Sequence, residues 1–287
     1  MAIRIPRALE AAVDADELGE RRAWLAALPG VVAEIAGEWG LTLGDPYSPG
    51  GQCAWVAPAD DDLVLKVSWR HTEAEHEADG LRFWNGDGTV RCFAARSVDP
   101  HTTALLLERC MPGMQLKTLP EPEQDELVAA LARRLHRPLP GAGHPFRSLT
   151  EICDGWAGEF EQRVNNGSLE RALAREAVAL FRELPRTARS EALLCTDLHA
   201  GNVLSSEREP WLVIDPKPLI GDPAFDAVQH MLNCDERLAT DPMALAARMG
   251  SLLEVDSERV RLWLFARCAQ ESADSAAMVE LARRLAP

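Results

Sequence analysis

An α+β fold of two lobes is what the sequence predicts: an amino-terminal lobe over residues 1–108 built on a small antiparallel sheet, and a larger, mainly helical lobe over residues 109–287. Three observations predict it. Between residues 41 and 108 short apolar runs alternate with turn residues, the texture of an antiparallel meander. Beyond residue 121 apolar residues recur at three- and four-residue steps, which is helical spacing. Between these regions Arg109-Cys110-Met111-Pro112-Gly113 is rich in chain breakers, and the lobe boundary is placed there. With 287 residues, 47% of them hydrophobic, the chain holds enough apolar matter for a sizeable core and is long for one compact domain.

Taken in order, the first lobe opens with helices within 8–40, whose apolar positions Leu9, Val13, Leu18, Trp24, Leu25, Leu28, Val32, Ile35 and Trp39 keep helical step. Pro29-Gly30 is expected to divide them into two helices. Short strands follow at Leu41-Thr42-Leu43-Gly44, at 52–57 and at 63–69, with turns at Tyr47-Ser48-Pro49-Gly50-Gly51 and Asp60-Asp61-Asp62. A helix over 71–84 places Glu77, Leu81 and Trp84 on one face, so Glu77 is turned inward more than Glu73 or Glu75, and Asn85-Gly86-Asp87-Gly88 ends it. Two more strands, 90–98 and 103–108, turn at Asp99-Pro100-His101. In the second lobe helices are predicted at 121–136, 149–164 and 169–184, separated by loops at 138–143 and at Asn165-Asn166-Gly167. Further helices run through Leu238, over 243–253 and over 257–285.

Charge and cysteine usage bound the function. There are 45 acidic residues against 30 basic ones, a formal net charge of −15, so nucleic acid is not an expected partner. A cationic small molecule would be drawn to such a surface. The seven cysteines are scattered singly, which fits reduced, mostly buried thiols better than a disulfide framework or a zinc site. No apolar run approaches the ~20 residues that span a bilayer, and the first twenty residues lack a continuous apolar core; a soluble, cytoplasmic protein is expected, with no membrane partner.

Leu194-Cys195-Thr196-Asp197-Leu198-His199-Ala200-Gly201-Asn202-Val203-Leu204, followed by Val213-Ile214-Asp215-Pro216, gathers two carboxylates and a carboxamide beside apolar runs. Carboxylate and amide oxygens are the hard ligands magnesium prefers, and a carboxylate beside a substrate hydroxyl can take its proton during phosphoryl transfer. Only three lysines occur, against 27 arginines. Lys66 lies inside an apolar strand, either as an edge-strand residue with its head in water or as a lysine that pairs nucleotide phosphates and is oriented by Glu77. Gly50 and Gly51 either close a hairpin or let backbone amides approach a phosphate.

The order of strand lysine, helix glutamate, hinge, T-D-L-H-A-G-N, I-D-P and G-D-P-A-F-D resembles the aminoglycoside phosphotransferase branch of the protein-kinase-like fold. Residues 214–226 resemble, more narrowly, the streptomycin 6-phosphotransferase and hydroxyurea phosphotransferase family. The likeness spans about residues 41–226. It implies that Lys66, held by Glu77, contacts the α- and β-phosphates of ATP, and that the backbone at Glu108 and Cys110 receives the adenine at a hinge. It implies Asp197 as catalytic base, Asn202 and Asp215 as Mg2+ ligands, and Asp222 and Asp226 as braces of the catalytic loop. The site would form one wall of a cleft between the lobes. Most relatives carry His where this chain has Cys195, which puts the loop's support in question; His199 is read as a loop residue satisfied by nearby backbone. Lys217 either approaches the transferred phosphate or lies at the surface.

The activity implied is ATP- and Mg-dependent transfer of the γ-phosphate to a hydroxyl of a small molecule, foremost an aminoglycoside of the streptomycin type. Hydroxyurea or a native metabolite is the alternative acceptor, and a kinase-like binding protein without catalysis the alternative of another class. Asp154, Glu159 and Glu236 are candidate contacts to a guanidinium-bearing acceptor. Neither the acceptor nor the oligomeric state is legible in the sequence.

Overall fold

A computed structural model describes the chain outside residues 1–2, 16–18, 73–74, 139–140, 142, 164–168 and 274. Expectations for Leu18, Glu73 and the Asn165-Asn166-Gly167 loop therefore lie outside the described residues. The chain divides into two compact units, Met1–Gly113 with Ser205–Leu212, and Met114–Leu204 with Val213–Pro287.

In the first unit, α1 (Arg7–Asp14) and α2 (Gly19–Trp39) precede strands β1 (Ala54–Ala59) and β2 (Leu63–Trp69), helix α3 (Glu77–Trp84), and strands β3 (Cys92–Asp99) and β4 (Thr102–Glu108). The four strands form one antiparallel sheet in the order β1-β2-β4-β3. One face of it buries Trp55, Ala57, Leu65 and Val67 with Leu9 of α1 and Trp24, Leu28, Val32 and Ile35 of α2. That continuous apolar stripe corrects the expected break at Pro29-Gly30. Pro29 lies inside α2, and the missing hydrogen bond is outweighed by burial of a face that runs past it on both sides. The predicted helix over 71–84 is shorter than expected and begins at Glu77. It ends where Asn85 takes a left-handed conformation at φ 50°, as the Asn-Gly pair predicts.

The second unit is mainly helical. β5 (Pro112–Gln115) carries the chain across the boundary, followed by α4 (Glu121–Leu135), α5 (Leu149–Arg163) and α6 (Arg171–Glu183). Strands β6 (Ala192–Leu194) and β9 (Leu219–Gly221) are short, and β7 (Val203–Ser206) and β8 (Trp211–Val213) straddle the junctions with Ser205–Leu212 of the first unit. Helices α7 (Asp226–Leu232), α8 (Asp235–Thr240), α9 (Pro242–Leu253), α10 (Ser257–Glu271) and α11 (Ala276–Leu285) complete it. β6 pairs antiparallel with β9, with Leu193 opposite Ile220, so the chain leaving β6 and the chain entering β9 emerge side by side. Gly221 is required there, because a Cβ on it would stand 2.5 Å from that of Leu149 on α5. Among the described residues no helix is long and apolar enough to cross a membrane.

Candidate active site

Lys66 occupies the centre of β2, between Val56 of β1 and Leu105 of β4, so it is not the edge-strand lysine with a solvated head. Its Nζ donates to both carboxylate oxygens of Glu77 at 2.7 Å, and both residues are buried. Glu77 opens α3, where the helix dipole favours a negative charge. An ion pair taken this far out of water is weak evidence of added stability, and its value lies in presenting one ammonium at a fixed place.

Glu108 and Cys110 close the sheet-bearing part of the same unit. The Glu108 amide donates to the carbonyl of Arg91, and its carboxylate receives Arg208 Nε at 2.6 Å and NH2 at 2.8 Å. Burial alone would raise the Glu108 carboxyl, but the Arg208 guanidinium and the Arg91 amide outweigh it and hold the group below the usual carboxylate range. Arg208 also donates to the carbonyls of Gly86 and Thr89, a convergence no local motif announces. The glycine turn has a packing reason of its own: Gly50 has φ 87°, and a Cβ there would lie 2.4 Å from that of Pro6. Gly51 meets no such obstacle.

In the second unit the loop after β6 carries Asp197 and Asn202, and the segment before β9 carries Asp215 and Lys217. Hydrogen bonds join the two. Lys217 N–H donates to the Cys195 carbonyl at 2.9 Å, the Thr196 hydroxyl to the Lys217 carbonyl at 2.5 Å, and Ile214 N–H to the Asn202 carbonyl at 2.9 Å. Asn202 Nδ2 donates to the Asp197 carbonyl at 3.0 Å, which turns the amide oxygen Oδ1 the other way. Lys217 Nζ lies 3.1 Å from Asp197 Oδ2. Asp197, Asn202 and Asp215 are all half-buried.

Thr196 and Asp215 have φ of 51° and 54°, a left-handed conformation that is costly for a β-branched threonine. It is held by Asp226, which is buried and accepts from the amides of Cys195 at 3.0 Å and Thr196 at 2.7 Å. His136, just past α4, reaches the same carboxylate with Nε2 at 2.9 Å. Cys195 therefore supports the loop through its backbone, while its thiol is fully buried and pushed well up in pKa by that burial. Asp222 is a second brace: it accepts from Trp263 Nε1 at 2.7 Å and Arg259 Nε at 2.5 Å, tying the segment to α10. His199 Nδ1 accepts from the Gly201 amide at 3.2 Å, and burial lowers its pKa, so the ring is a neutral backbone cap, as the loop-residue reading expects.

The oxygen donors of Asp215 and Asn202 fit a magnesium ion, which prefers carboxylate and amide oxygens. A second cluster of ligand types, Asp125, His230 and Cys234, does not fit a cation. The Asp125 carboxylate is taken by His230 Nε2 at 2.9 Å, Arg237 NH2 at 2.7 Å and Arg248 Nε at 2.8 Å, so two guanidinium groups already stand where a metal's charge would be repelled. Among the expected acceptor contacts, Asp154 is paired with Arg186 at 2.6 Å.

The architecture and the braced Asp197–Asn202–Asp215 arrangement define the class. An aminoglycoside phosphotransferase from Streptomyces rimosus, solved with ADP and streptomycin, superimposes with a TM-score of 0.58 at 17% identity, covering 86% of this chain and 98% of that one; the fold is protein-kinase-like. A streptomycin 6-kinase from Streptomyces glaucescens is 32% identical over 94% of this chain and 90% of its own length. A hydroxyurea phosphotransferase from Kitasatospora aureofaciens is 35% identical over 87% of this chain and 73% of its own. The model of the aminoglycoside/hydroxyurea antibiotic resistance kinases matches residues 56–279, and the chain belongs to that family. It is a phosphotransferase with an alcohol group as acceptor.

Proposed function

We propose that the protein transfers the γ-phosphoryl group of ATP to a hydroxyl of an aminoglycoside of the streptomycin type. The observation that carries the reading is the Asp197 carboxylate, set on a loop whose strained backbone Asp226 fixes and whose neighbours Asn202 and Asp215 are oxygen donors. Phosphoryl transfer asks a protein mainly to position reactants and neutralise charge. Asp197 orients the acceptor hydroxyl and receives its proton. Lys66, kept in place by Glu77, pairs the nucleotide phosphates, and the backbone at Glu108 and Cys110 receives the base. For Glu108 this falls to the backbone, since its side chain is engaged by Arg208. Backbone amides at Gly50 and Gly51 approach a phosphate, and packing against Pro6 separately accounts for the glycine at 50. Mg2+, held by Asn202 and Asp215, would supply charge neutralisation at the phosphates.

The extent of likeness to the streptomycin 6-kinase favours streptomycin, and the hydroxyurea phosphotransferase supports hydroxyurea as the second reading. Purified protein incubated with ATP and magnesium should phosphorylate streptomycin, and a chelator should stop the reaction. Turnover of hydroxyurea but not streptomycin would replace the first reading by the second. Turnover of neither, with nucleotide still bound, would leave the binding-protein reading.

A further inference from the structure

Lys217 is fixed more firmly than a surface lysine needs to be. Its amide donates to the Cys195 carbonyl at 2.9 Å and its carbonyl accepts from the Thr196 hydroxyl at 2.5 Å, the two residues that precede Asp197. From this fixed backbone the side chain, only 29% exposed, places Nζ 3.1 Å from Asp197 Oδ2. Residue type matters as well. In a chain that uses arginine for nearly every cation, this position holds one of three lysines, a compact charge with three rotatable donors that can serve two acceptors at once.

We propose that Lys217 is a second catalytic residue, an ammonium that orients the Asp197 carboxylate before transfer and passes to the phosphoryl group during it; the inference rests on Asp197 being the base. The acceptor oxygen forms its bond to the γ-phosphorus. The bond from that phosphorus to the bridging oxygen breaks, its electron pair leaving with the nucleoside diphosphate. The hydroxyl proton goes to Asp197, and Lys217 keeps its own protons throughout. Once Asp197 is neutralised, the attraction that held the ammonium to Oδ2 is gone, while the phosphoryl oxygens still carry charge. Lys217 therefore changes partner as the reaction proceeds, and its contribution is larger in the transition state than in the ground state.

The test is Lys217→Met and Lys217→Arg in the full chain, with streptomycin as acceptor and either ATP or its γ-thio analogue as donor. For Lys217→Met we expect kcat to fall about 100-fold, the loss typical of one charge-stabilising donor, with both KM values within about threefold of wild type. The rate penalty of the thio analogue should shrink at least about fivefold in that variant, because the contact that senses the sulfur is gone. Lys217→Arg should recover part of kcat and keep the thio penalty; it carries the same measurements if Lys217→Met does not fold. A Lys217→Met kcat within threefold of wild type, or an unchanged thio penalty, overturns the proposal. Asp197→Ala in parallel separates the two readings: an inactive Asp197→Ala beside a near-wild-type Lys217→Met sinks only the lysine's role, whereas an active Asp197→Ala removes the base on which it rests.

Discussion

Asp197 and Asp215 stand on segments joined to each other by hydrogen bonds that neither carboxylate makes. Asp197→Ala and Asp215→Ala should each lower kcat by at least about 10³-fold with the thermal midpoint nearly unchanged, as read by steady-state kinetics beside calorimetry. Wild-type-like turnover in either variant would remove that residue from the mechanism. Lys66→Met should raise the KM for ATP far more than that for the acceptor; equal effects on both would show that the lysine does not serve the nucleotide. The placement of these candidates is legible in the sequence because their signals are local. Asp197 and Asn202 sit within T-D-L-H-A-G-N, Asp215 in I-D-P a short way on, and the Glu77, Leu81, Trp84 spacing shows which glutamate turns inward. Gly50 was ambiguous for the opposite reason, since its steric need comes from Pro6, far back in the chain.

At the level of elements, the loop after β6 is a strained turn held by a carboxylate from α7. Asp226→Asn replaces an acceptor of two buried amides by a group that can serve fewer of them. Each buried donor left unpaired costs about 1–3 kcal/mol. The variant should lose several degrees in thermal midpoint, at about 2–4 °C per kcal/mol for a chain of this size, and kcat should fall with it. Unchanged stability and turnover would show that the Thr196 conformation is held by something else. The G-D-P-A-F-D motif pointed to this brace, but neither His136, 90 residues away from Asp226, nor Trp263 was visible, because no periodicity links an α4 terminus or an α10 face to a loop. Pro29 departs from expectation for a related cause: breaker rules weigh one residue, whereas the helix answers to the whole buried stripe.

Across the whole molecule, the chain is built on long-range arginine pairs. Asp125 is fully buried; burial alone would raise its carboxyl, yet His230, Arg237 and Arg248 together hold it far below the usual carboxylate range. A depressed folded-state pKa contributes stability that is present above the unfolded value near 3.9 and is lost as pH falls towards the folded one. Wild-type unfolding free energy should therefore drop faster than that of Asp125→Asn on acidification below pH ~4, while at pH 7 the variant, whose Arg237 and Arg248 lose this carboxylate but keep Glu121 and Glu126, should be less stable by about 1–3 kcal/mol. Parallel denaturant titrations at several pH values decide it; identical pH slopes would exclude Asp125 as the linked group. None of this was legible, since Asp125 meets partners 105 to 123 residues away. Connectivity also limits how the molecule can be cut. Because Ser205–Leu212 belongs to the first unit and brings Arg208 to Glu108, Gly86 and Thr89, a gene fragment that stops at Gly113 encodes a sheet without its clasp. Any transplant of the first unit into a relative has to carry two separated stretches of sequence, and recombination between relatives is constrained to exchange them together.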